Sequence, residues 1–163
     1  MSAEPLRPVR SSLALAQAAV IVDGALQARR AHGLLPLAVA VLDAGAHLVA
    51  FQREDGCGTL RCSIAVGKAA AALGMGMSTR LIRDRLAARP AFQSALAAAA
   101  DGRFIPVPGG VLILDADGAA IGAVGISGDT SDKDEFCAIT AVQVAGLASE
   151  PAAPDPAWNQ SQL

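Results

Sequence analysis

At 163 residues the chain is long enough for one domain with its own core. Hydrophobic residues make up 53% of it and aromatics only 3%, with no tyrosine, so the core has to be built from Ala, Val, Leu and Ile. The net charge of −2, with Lys and Arg spread along the chain, excludes the clustered basic face that nucleic acid requires, and no apolar run reaches the roughly 20 residues of a membrane span.

Residues 1–10 contain Pro5 and Pro8 and read as an N-terminal arm. A domain over 11–148 follows, and a tail over 149–163. Ser11 or Ser12 is positioned to cap a helix that reaches about Ala31, because Leu15, Ala18, Ala19, Val22 and Leu26 recur at spacings of three and four. Gly33 supplies its left-handed stop. Leu37–Leu42 and His47–Arg53 flank Asp43-Ala44-Gly45-Ala46 as a hairpin. The first run is apolar on both faces and reads as a central strand. In the second, alternation places His47, Val49, Phe51 and Arg53 on one face and Leu48, Ala50 and Gln52 on the other.

A second helix is predicted from about Arg61 to Leu73, ended by "GMGMS". Helical segments follow, broken at Pro90 and stopped at Gly102. "RFIPVPGG" is extended, since residues before proline avoid the helical region. "VLILDADGAAIGAVGI" is a second hairpin turning at Asp117-Gly118. A last helix runs from about Asp132 to Leu147. The tail would dock on a partner through Trp158. Two hairpins with helices between them predict an α+β domain built on an antiparallel sheet.

In "GAVGISGDTSDKDEF" (Gly122–Phe136) three glycines precede a helix start. A helix N-terminus attracts anions. Asp129, Asp132, Asp134 and Glu135 crowd this one, however, and each like-charge contact with a phosphate at ~4 Å costs on the order of a few kcal/mol. The stretch therefore reads as a strand passing into a helix capped by Asp132 and Glu135, with Thr130 and Ser131 as alternative caps, beside a glycine-lined crevice.

Four segments in this order, "LAVAVLDAGAHLVAFQREDG", "SIAVGKAAAAL", "VPGGVLIL" and "IGAVGISGDTSDKDEFCA", resemble the GlcG/HbpS/PduO-C-terminal family of haem-degrading or haem-binding domains. The resemblance implies a profilin-like three-layer α/β/α sandwich with a five-stranded antiparallel sheet, and homo-oligomers. It also implies a haem (tetrapyrrole)-binding function as carrier, sensor or slow degrader. Leu112 stands where the family usually has proline after its paired glycines.

The candidate chemistry is sparse. His47 is either a haem-iron ligand or a half-buried strand residue bonded to a carbonyl. His32 lies at a helix end, where an imidazolium complements the dipole. Lys68, alone among small apolar residues, either snorkels to water or enters a pocket to bind a carboxylate, a haem propionate or an enolate oxygen, where burial would permit proton transfer or imine chemistry. Asp134, in the first turn of the last helix, is either a proton acceptor or a charge that matches the helix dipole. Arg53 and Arg61 join Lys68 in a cationic site for an acid, and the amides of Gly109 and Gly110 are candidate donors to a ligand oxygen. The alternative function is thus a catabolic enzyme using acid–base chemistry on an oxygenated acid, aldehyde or alcohol. Met75 and Met77 read as gap-filling core. Cys57, Cys62 and Cys137 show no ligand-type spacing and fit reduced thiols, and with no export signal the cytoplasm is the expected compartment.

Overall fold

The computed structural model describes residues 4–163. Its elements in chain order are helix α1 (Leu15–Ala31), strands β1 (Ala38–Asp43) and β2 (Leu48–Arg53), and helices α2 (Leu60–Met75), α3 (Thr79–Leu86) and α4 (Pro90–Ala99). Strands β3 (Gly110–Leu114) and β4 (Ala120–Ser127), helix α5 (Ser131–Val144) and strand β5 (Ala148–Glu150) complete them. The five strands form one antiparallel sheet in the order β2-β1-β4-β3-β5. Both predicted hairpins are present. The fifth strand comes from residues that lie across the expected start of the tail: α5 stops at Val144, Gly146 takes φ +74°, and the chain then turns to pair with β3.

The two faces of the sheet carry different side chains. Val39, Val41, Val111, Ile113, Val124 and Ile126 point to α1 and α5 and form the main core with Ile21, Val22 and Ile139. Ala38, Ala40, Leu42, Leu112 and Ala123 point the other way, against Ala65, Ala69 and Ala72 of α2. Strand β1 is apolar on both faces because each face has a helical layer, as its sequence requires. Helices α3 and α4 extend the α2 layer through a smaller cluster of Ala71, Ile82, Leu86 and Phe104, packed with Met75 and Met77. No helix among the described residues is long and apolar enough to cross a membrane.

The glycines serve close backbone contact. Ala40, Gly125 and Gly110 lie side by side across β1, β4 and β3 beneath α2. A Cβ on Gly125 would fall 1.9 Å from the Ala65 carbonyl oxygen, and one on Gly110 would fall 2.4 Å from that of Lys68. On the opposite face, a Cβ on Gly122 would meet the Leu42 carbonyl oxygen at 2.4 Å. The crevice expected from the glycine spacing is therefore filled by the protein's own backbone.

Local caps also differ from expectation. Ser12 does not cap α1; its Oγ accepts from the Ala44 amide at 2.9 Å and ties the arm to the β1–β2 turn. Helix α1 starts after Ala14, whose amide donates to Gln17 Oε1. Part of the tail packs on its own domain. Trp158 stacks on Phe136 with ring centroids 3.7 Å apart, and His32 meets both rings edge-on.

Substitution at Gly125 tests the packing. Gly125→Ala forces α2 off the sheet against two backbone atoms and is expected to cost about 3 kcal/mol or more in denaturant unfolding. Gly74→Ala, in the same helix with nothing within 4 Å of the added carbon, is expected to be neutral or stabilising by up to ~1 kcal/mol. Equal effects at the two positions would refute the close-approach account.

Candidate functional site

Lys68 lies on the sheet-facing side of α2 and is 1% exposed. Its Nζ donates to the Ile126 carbonyl oxygen at 2.9 Å and to Asp134 Oδ2 at 3.0 Å. Asp134 belongs to α5, in the layer on the other side of the sheet. The lysine reaches it past the end of β4, through space that Gly109 leaves open: a Cβ there would lie 2.8 Å from Nζ and 3.1 Å from Cδ. Gly109 has φ +118°, which a side chain rarely adopts. Asp134 Oδ1 accepts from the Asp129 amide, so its carboxylate has partners on both oxygens.

Burial pushes the Lys68 ammonium below its ordinary pKa and the Asp134 carboxyl above its own, with each partner opposing the shift in the other. The two candidate residues are thus in contact, but as a sealed pair. Neither residue lines any of the four principal cavities. The Gly110 amide is not free for a ligand, since it donates to Thr79 Oγ1 at 2.8 Å. Arg61 is half-buried and its Nη1 donates to Ser127 Oγ at 3.3 Å. Arg53 is exposed at the end of β2. Both guanidinium groups act on the Cys57 thiol, whose pKa burial nonetheless raises.

Glu135, expected as part of a cap, instead points into the protein. It is 1% exposed, Oε1 lies 3.3 Å from Arg80 Nε, and Oε2 is buried without a partner. Desolvation pushes its carboxyl up to about 7, against the pull of Arg80.

His47 is exposed rather than half-buried in a strand. Its Nδ1 lies 3.3 Å from Asp43 Oδ1, in a turn that this carboxylate organises by accepting from the amides of Gly45 and His47. Asp43 is held below the ordinary carboxylate pKa, first by the His47 amide. His47 sits in sequence between Ala46, which lines a cavity of about 250 Å³, and Leu48, which lines one of about 500 Å³.

The larger cavity is a cleft between β2 and α2. Leu48, Phe51 and Val66 form its apolar walls, with Cys62, Ser63 and Arg103 beside them. Leu48 and Phe51 share a wall because of a β-bulge: Leu42 pairs with Leu48 and Val41 with Ala50, so Val49 is the extra residue. Simple alternation had placed the two side chains on opposite faces. Sequence reasoning also passed over Arg103, which no motif marks. The three cysteines are free, and no group of three or more His, Cys, Asp or Glu side chains is placed to hold a metal among the described residues.

Two predictions follow from the buried charges. Lys68→Ala strands a buried carboxylate and is expected to cost about 3–5 kcal/mol in denaturant unfolding, whereas Lys68→Met with Asp134→Leu costs clearly less than the two single changes together. Additive losses would show that the pair does not interact. For Glu135, the folded chain keeps the proton to about pH 7 while an unfolded glutamate loses it near 4.5. The folded state therefore binds more protons between those values, and stability falls as pH rises from about 5 to 8, by on the order of 3 kcal/mol from this group. Glu135→Gln is expected to flatten that slope in unfolding midpoints; an unchanged slope would contradict it.

The family described as "Haem degrading protein HbpS-like" matches residues 13–143. An uncharacterised 15.0 kDa protein from the dhaT-dhaS intergenic region of Citrobacter freundii is 30% identical over 118 residues, covering 72% of this chain and 82% of that protein. The crystal structure of a PduOC:heme complex superposes with a TM-score of 0.76 at 22% identity, over 85% of this chain and 98% of that one. ORFY of Klebsiella pneumoniae gives 0.75 at 23% identity, over 89% and 98%. A double mutant of HbpS from Streptomyces reticuli gives 0.69 at 25%, over 88% and 93%. The fold is shared along nearly the whole domain, and the chain belongs to the HbpS-like family.

Proposed function

We propose that this protein binds haem in the cleft between β2 and α2, as a carrier, sensor or slow degrader of the group. The observation that carries the reading is the cleft itself. It offers about 500 Å³, apolar walls from Leu48, Phe51 and Val66, and the Arg103 guanidinium and Asp101 carboxylate at its side. Those residues suit a large planar apolar ligand with acidic substituents. The family description and the heme complex of the PduOC relative support the same choice.

His47 is the residue we assign to the iron. Its Nδ1 lies 3.3 Å from Asp43 Oδ1, which orients the ring and leaves Nε2 as the nitrogen for the metal. When bound, haem supplies one-electron and oxygen chemistry at the metal. The protein's part is to shelter the macrocycle between β2 and α2 and to present the imidazole.

The second reading, acid–base catalysis by Lys68 and Asp134, has one observation in its favour: a buried ammonium–carboxylate pair with both pKa values displaced. It needs a path to the pair, and the neighbouring cavities are not lined by either residue. Arg53, Arg61, Gly109 and Gly110 are its expected ligand contacts, but the Gly110 amide already donates to Thr79 and Arg61 to Ser127, so it ranks below the cleft. We also propose that the chain self-associates; Leu15, Leu60 and Val144 leave apolar side chains exposed for such a contact.

Titration with hemin tests the haem reading. The wild-type protein is expected to give a saturable Soret band at one haem per chain. His47→Ala is expected to shift that band and weaken binding by roughly tenfold or more. An unchanged band and affinity would remove His47 as ligand, and a wild-type protein without saturable binding would remove the function.

A further inference from the structure

Arg103 follows the Asp101-Gly102 turn, where both residues take positive φ, +52° and +78°. The turn ends α4 and aims the chain back over the outer face of α2. Its position is unusual in one respect. Arg103 lines the 500 Å³ cleft, the 250 Å³ cavity beside the β1–β2 turn, and a third of about 200 Å³ between α2 and α4. Three hollows that would otherwise be separate meet at one cationic side chain.

The floor they share is nearly featureless. Val66, Ala70 and Gly74 recur every four residues along α2 and present no charge. Among the described residues Arg103 makes no ion pair, although Asp101 lines the same cleft. Arg29 pairs with Glu54, Arg80 with Glu135 and Arg83 with Asp84; among the arginines without a carboxylate partner, Arg103 is the one that lines the cleft. An unpaired guanidinium beside an apolar groove matches a ligand that is flat and apolar along one edge and carboxylated along the other. A planar fork of N–H donors is also the geometry that holds carboxylates best.

We infer that Arg103 is the specificity-determining residue of the cleft: it pairs with the propionate carboxylates of the bound tetrapyrrole and fixes which edge of the macrocycle faces the α4 turn. The inference rests on the haem reading. Asp101 acts in the opposite sense, repelling the same carboxylates, so the balance of the two sets the preference for an acidic ligand.

The test compares hemin with hemin dimethyl ester, which keeps the macrocycle and iron but has no carboxylates. Both are titrated by absorbance into the wild-type protein, Arg103→Ala, Arg103→Lys and Asp101→Asn. Wild type is expected to prefer hemin to the ester. Arg103→Ala is expected to lose about tenfold in hemin affinity while its ester affinity stays unchanged, and Arg103→Lys to recover part of the loss. Asp101→Asn is expected to tighten hemin and leave the ester alone. Circular dichroism of each variant checks the fold, which these exposed side chains do not support. If wild type binds hemin and Arg103→Ala binds it equally well, or loses hemin and ester alike, the assignment of Arg103 is wrong while haem binding stands. If wild type binds neither compound saturably, haem binding fails and the assignment fails with it.

Discussion

Helix α2 can lie on the sheet only because the row beneath it, Ala40, Gly125 and Gly110, has almost no side chains. Backbone meets backbone there, and a single carbon on Gly125 would sit inside the Ala65 carbonyl. The approach dictates the sequence of the helix as well as that of the strands. Its inner positions must be small, and Ala65, Ala69 and Ala72 are. The opposite face of the same strands has the reverse requirement. It carries valine and isoleucine, which fill the wider gap to α1 and α5. A chain with so few aromatic residues obtains a dense core by this division, with one helix nearly touching the sheet and two standing off it.

The close approach also explains how a lysine comes to be buried. Seated so deeply, α2 brings the Lys68 backbone within reach of β3, and the side chain has one outlet, past Gly109 toward α5. There it satisfies the Ile126 carbonyl and the Asp134 carboxylate, and so links the two helical layers around the end of β4. Desolvating both charges is expensive, and an apolar pair of the same size could be as stable. The geometric gain is register. An ammonium with two fixed acceptors permits only one placement of α2 relative to α5. Glu135, one residue further along α5, has no such closure: Arg80 reaches one oxygen and the other is buried alone. The adjacent carboxylates thus differ in their electrostatics because one has complete partners and the other does not.

Local patterns in the sequence identify the helices, both hairpins and the two-sided burial of β1. They also mark Lys68 as anomalous, because a lone cation in an alanine-rich helix is conspicuous at any range; that Asp134 is its partner is visible only in the structure. Other features depend on contacts that no local pattern encodes. The glycines of β4 promise close approach, but whether a ligand or a helix arrives is decided by tertiary packing. A one-residue bulge at Val49 overturns the alternation of β2 and sets Leu48 beside Phe51. Ser12 is chemically a good cap, yet the Ala44 amide claims it. Trp158, conspicuous in the sequence, finds Phe136 and His32 on its own chain. Strand β5 is three residues long, too short for any periodicity to show.

The position of the cleft follows from the same packing. The inner side of α2 is closed by backbone contact and by the lysine, so no ligand can enter between helix and sheet near β3 and β4. At the β1 side the row of small residues ends at Phe51, which pairs with Ala40 and is the first large side chain in that line. The sheet and helix must diverge around it. The bulge adds Leu48 to the same wall, and the outer face of α2 continues the surface through Val66 toward Gly74. An opening between α2 and the edge strand is thus the cost of seating the helix so tightly at the centre. That opening is apolar because it is the margin of the core, and its charged residues come from the one segment that has to turn across it, Asp101 to Arg103.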